Sequence, residues 1–176
     1  MSNDLQIRLP SDDQVARCAI YPKFLTENRA FDPRILFRLQ NKKSPFELSV
    51  AHMSDLPGSA VHEYGCNAAA IANQREGAEV SHYLGYYRLA VSDAEAASND
   101  IYDVLVVRAP EHGADAHCHI VVSEKAGVDQ NAPKKEYKVF VIDDLWNRVV
   151  GPQRHICPVD EAVRLTLEAI ELPPRP

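Results

Sequence analysis

From Phe46 to Met53 apolar and polar positions alternate, with Phe46, Leu48 and Val50 on one side and Glu47, Ser49 and Ala51 on the other. Successive side chains of a strand point to opposite faces, so this pattern predicts a half-buried strand. Ile35–Leu39 reads as a shorter strand, and Tyr83–Val91, Tyr102–Ala109 and His117–Ser123 supply three more. Tyr137–Ile142 reads as the next, with Tyr137, Val139 and Val141 opposite Phe140 and Ile142. The loops Pro110–Ala116 and Glu124–Lys135 are hairpin-like, which predicts an antiparallel meander of about four to six strands.

Two segments break the alternation. Val61–Gln74 is alanine-rich and free of proline, and alanine is the residue least costly to place in a helix. A helix is expected from about Asn67 to Arg75, with Gly77 ending it. Val159, Val163, Leu167 and Ile170 then share one helical face, and Asp160 and Glu161 suit the positive end of the helix dipole. Strands collected between one central alanine-rich helix and one C-terminal helix imply an α+β fold. Prolines 10, 22, 33, 45 and 57 are evenly spaced, but no similar residues repeat around them. Residues 1–171 are expected to form a single domain, and the Pro-rich 172–176 a flexible tail.

The 176 residues are 45% hydrophobic and 25% charged, an ordinary globular balance, and the net charge of −6 disfavours nucleic acid and anionic membranes as partners. The start MSNDLQIRLP lacks the basic and apolar regions of a secretory signal, and no apolar run reaches membrane-spanning length. Cys18, Cys66, Cys118 and Cys157 are scattered without a CxxC, so most of the thiols are expected to be reduced and the chain cytoplasmic. Glycine-rich phosphate loops, HExxH, GxSxG and EF-hand patterns are missing, which removes the commonest nucleotide, zincin and serine-hydrolase readings.

The densest polar cluster is Glu111-His112-Gly113-Ala114-Asp115-Ala116-His117-Cys118-His119. On a strand His117 and His119 share a face, while Cys118 points with Ile120 and Val122 toward the core. His155 and Cys157 make a second i, i+2 pair, and the four together would suit a closed zinc site. Asp115 either caps its own turn or orients His117. A separate chemistry begins at Cys66, placed by the expected helix start where the dipole favours a thiolate. The order Cys66, then His117 or His119, then Asp143 or Asp144 resembles that of papain-like and transglutaminase-like enzymes. The resemblance implies a cysteine nucleophile, a histidine base and an orienting carboxylate. Asn67 stands after Cys66, where many of those enzymes carry an aromatic residue.

Arg17-Cys18-Ala19-Ile20-Tyr21-Pro22, Glu47-Leu48-Ser49-Val50 and Asp115-Ala116-His117-Cys118-His119-Ile120 together resemble a pattern in small bacterial proteins of unassigned function. That resemblance implies no activity, but it groups Ser49 with His117. The leading expectation is a cytoplasmic binding or accessory module without a cofactor, docking another protein through His117, Asp115 and Ser49. The alternatives are a cysteine-nucleophile hydrolase or acyltransferase using Cys66, His117, His119 and Asp143, and a zinc protein using His117, His119, His155 and Cys157.

Overall fold

The computed structural model describes residues 7–28, 30–75, 77, 79–109 and 115–174. Its centre is a six-stranded antiparallel sheet in the order β4-β5-β2-β1-β3-β6. The strands are β1 (Gln14–Tyr21), β2 (Phe46–His52), β3 (His82–Ala90), β4 (Tyr102–Arg108), β5 (His117–Glu124) and β6 (Val150–Arg154). The helices are α1 (Pro33–Leu36), α2 (Ala60–Asn73), α3 (Val91–Glu95), α4 (Lys134–Arg148) and α5 (Glu161–Glu168). The fold is α+β. Consecutive strands β3 and β4 have three other strands between them, so the order is not that of a plain meander.

Four of the expected strands are β2, β3, β4 and β5. Two others are helices. Tyr137–Ile142 lies inside α4, whose buried residues Val141, Ile142, Leu145 and Trp146 recur at i and i+4. Six residues of alternation are too few to separate a strand from part of such a stripe. Ile35–Leu39 falls across the end of α1, where Pro33 opens the turn and the Asp32 carboxylate accepts from the Arg34 amide at 2.8 Å. The alanine-rich helix starts at Ala60, so Cys66 sits in its interior rather than at its N-terminus.

Strand alternation gives each sheet face its own core. Val15, Leu48, Val50, Tyr87, Cys118 and Ile120 face the larger one, under α1, α3, α4 and α5. Trp146 of α4 anchors it, its ring 5.2 Å from that of Tyr87 and 5.5 Å from that of Phe31. Leu172, placed by the sequence in a flexible tail, is buried in this core, and the Pro173 carbonyl accepts the Tyr87 hydroxyl at 2.9 Å. Residues 175–176 of that tail lie outside the described residues.

The opposite face carries α2 over a thin layer of Ala16, Ala51 and Val61. Its buried stripe of Val61, Gly65, Ala69 and Ala72 is small, which brings the helix close to the sheet. A Cβ on Gly65 would overlap the Tyr83 ring. Asn73 fixes the far end of α2, donating to the Ser81 carbonyl at 2.9 Å and accepting from its amide at 2.6 Å. Among the described residues no helix is long and apolar enough to cross a membrane.

Candidate binding cleft

The two middle strands part company almost at once. β1 pairs with β3 along its whole length but meets β2 only at Val15↔His52 and Ala16↔Ala51. The closed end is held by His52, 2% exposed, whose Nε2 lies 2.7 Å from Asp13 and Nδ1 2.8 Å from Asp55. Arg108 braces the cluster from β4, 2.7 Å from Asp55 and 3.2 Å from His52 Nδ1. Arg108 first and His52 second hold the Asp55 carboxyl below the ordinary value. Carboxylates only accept, so a doubly protonated ring serves both aspartates, while a neutral ring keeps one and takes Arg108 as a donor.

Beyond that clamp β2 turns to a different neighbour. The Gln40 amide donates to the Glu47 carbonyl at 2.7 Å, so the chain after α1 takes the place β1 has left. The opening is a cleft of about 230 Å³. Cys18 and Ile20 of β1, Ser49 of β2, Phe24 and Leu36 on one side, and Tyr64 and Ala68 of α2 on the other are among its walls. Arg17 spans it, donating from Nε to the Leu36 carbonyl at 2.7 Å and from Nη1 to the Ser49 carbonyl at 2.8 Å. Burial pushes the Cys18 thiol up to about 11, so it stays neutral at pH 7.

No family model, curated protein or solved structure matches this chain. The residues of the cleft therefore carry the functional argument by themselves.

The residues singled out in the sequence do not meet at one place. Cys66 and Cys157 form a disulfide, with Cα atoms 5.9 Å apart, which overturns the expectation of reduced thiols for this pair, whereas Cys18 and Cys118 are free. While that bond stands neither sulfur is a nucleophile or a metal ligand. Asp143 is on α4, across the sheet from α2, and binds Arg34 at 3.0 and 3.2 Å; Asp144 pairs with Arg148 at 3.1 Å. The Cys66, histidine and Asp143 set is thus not assembled.

His117 and His119 do share a face of β5, their ring centroids 4.8 Å apart, and His119 Nδ1 lies 3.8 Å from Glu47. Their expected metal partners are elsewhere. Three strands separate β5 from β6, about 19 Å at the usual strand spacing of roughly 4.8 Å. His155 follows β6 and stacks on His62 with centroids 4.4 Å apart. Among the described residues no group of three or more His, Cys, Asp or Glu side chains is placed to hold a metal. Asp115 is exposed, its carbonyl accepting from Arg108 at 3.3 Å. Glu111, His112, Gly113 and Ala114 lie outside the described residues. Ser49 pairs with His119 across β2 and β5, and it also lines the cleft.

Sequence reading missed Arg17, Tyr64 and His52 as site or clamp residues. Arg17 carried one usable signal, a charge in the middle of the apolar run Val15–Ile20. The His62 corner gives a pH prediction. Burial, and secondarily His155, holds the His62 pKa below its ordinary 6.5, while the Tyr83 hydroxyl and Tyr86 ring also face it. The unfolded chain then binds the proton more readily, so this contribution to stability is complete above pH 6.5 and declines as the pH falls through the folded value. Urea titrations of wild type and His62→Asn from pH 7.5 downward should show a steeper decline in the wild type; parallel curves would remove His62 as the cause.

Proposed function

We propose that this protein is a binding module whose working site is the cleft between β1 and β2, roofed by α2, and that it performs no catalysis of its own. The observation that carries this reading is the parting of two central strands after two residue pairs. Giving up ladder hydrogen bonds inside a sheet is unfavourable, and departures of this kind concentrate at functional sites. The space opened is concave, mostly apolar, and edged by Arg17, Ser49, Gln40 and Tyr64, the mixture that small-molecule sites use. The thiols of Cys18 and Cys118, both pushed up to about 11 by burial, favour binding over nucleophilic chemistry.

Docking of another protein on the His117 and His119 face remains a separate proposal, supported by their shared side of β5. A cytoplasmic location is the expectation from the sequence, whereas the Cys66–Cys157 bond supports an oxidising compartment. Counting free thiols in the protein trapped directly from cells separates the two.

The cleft reading is tested with a library of small aromatic and aliphatic fragments, followed by amide-shift NMR. Binders should perturb Ala16–Ile20, Ser49–Ala51 and the Tyr64–Ala68 turn, and Ala68→Trp should abolish their binding by filling the space. Binding confined to other surfaces, or unaffected by Ala68→Trp in a folded variant, would refute it.

A further inference from the structure

We infer that the cleft takes a small monocarboxylate with a short apolar body, its carboxylate seated on Arg17; this rests on the cleft being the binding site. Arg17 is a permanent cation in a poor place for one. It is half-buried at the middle of the sheet, and burial lowers its pKa. Among the described residues no carboxylate pairs with it, although Arg34 has Asp143, Arg108 has Asp55 and Arg148 has Asp144. Its two hydrogen bonds go to main-chain carbonyls, which orient the guanidinium without cancelling its charge. The adjacent Cys18 thiol is neutral at pH 7 and does not cancel it either.

What remains available is Nη2. Nε and Nη1 are occupied, and among the described residues no acceptor bonds Nη2 and no buried side-chain nitrogen is left without a partner. Nη2 is therefore accessible, and the accessible space beside Arg17 is the cleft. A poorly solvated charge with its counter-charge missing is unfavourable in general, and an incoming anion relieves that at the moment of binding.

The type of anion follows from the number of donors. A phosphate is usually held by several converging N–H groups at a helix N-terminus or a main-chain nest. Among the described residues no helix of useful length begins at this cleft, since Tyr64 and Ala68 belong to the interior of α2. One guanidinium edge, with Ser49, Gln40 and Tyr64 nearby and Lys23 at the mouth, matches a carboxylate better. The other walls, Ile20, Phe24, Ile35, Leu36 and Ala68, are apolar. A cavity of about 150 Å³ accepts benzene, so this cleft of about 230 Å³ suits a body of one ring or a short branched chain.

The test compares phenylacetate, phenylacetamide and phenyl phosphate on the intact protein by NMR titration. Phenylacetate should bind about tenfold or more tightly than the amide, as expected when one charge-assisted hydrogen bond is at stake. Its shifts should centre on Arg17 and Ser49, and Arg17→Met should remove the preference while leaving weak amide binding. If acid and amide bind the cleft equally, the carboxylate inference is overturned and the cleft reading stands. Tighter binding of phenyl phosphate overturns the choice of anion, and shifts centred on the lysines at 134, 135 and 138 overturn the site. If none of the three binds and the fragment library also fails, both readings fall. Should Arg17→Met not fold, the acid and amide pair on the wild type still decides the matter.

Discussion

Replacing Cys66 and Cys157 together with serine is expected to lower the unfolding free energy by roughly 4–5 kcal/mol, the loop-closure value for a bridge spanning 91 residues. For a domain of this size that corresponds to a fall in melting temperature of roughly 10–15 °C. The effect should be felt most in α2, whose apolar contact with the sheet is small. Its buried face is alanine, glycine and one valine, and its layer over the sheet is thin. Dithiothreitol on the wild type should reproduce the loss, and the serine variant should no longer respond to it. Hydrogen exchange should locate the damage, with protection falling in α2 while β4 and β5 keep theirs. A serine variant as stable as the wild type would show that the bond adds nothing to the fold.

Gly85→Ala should cost about 3 kcal/mol or more, the sum of a strained backbone conformation and a forced displacement of packed neighbours. Gly85 has φ +136°, a region L side chains rarely enter. Its Cβ would also overlap the Gln153 carbonyl oxygen and crowd the Arg154 Cα, which are main-chain atoms of β6 and cannot rotate away. Among the described residues β6 pairs only with β3, so the relief available is to push β6 off the sheet. His155 and Cys157 follow directly, so the displacement should reach the disulfide and the His62 stack. Chemical denaturation measures the loss. A change under about 1 kcal/mol, inside the usual range for innocuous substitutions, would mean that β6 packs less closely than described.

These two sites show how unevenly the structure is written in the chain. β2, β3, β4 and β5 are legible because one face of each is buried, which forces a period of two on the sequence. β1 is one of the two middle strands and has no legible alternation. Its Ala16, Arg17, Cys18 and Ala19 blur the alternation, Ala16 being small for the approach of α2 and Arg17 being the charge that bridges the cleft. α4 misled because Val139, Val141, Phe140 and Ile142 alternate locally while the whole helix repeats every 3.6 residues. For the site, Ser49 was found through its strand, whereas Arg17 and Tyr64 have no local pattern that marks them.

The sequence alone determined the class of fold, the register-defining faces of four strands and the C-terminal helix, because each is a property of neighbours along the chain. Only the tertiary structure decided that Cys66 meets Cys157, that His155 lies far from His117, and that β2 leaves β1 to open a cleft under α2. Those facts depend on which distant segments share the limited space on each face of the sheet. Periodicity within a segment records which side is buried, but not what is buried against it.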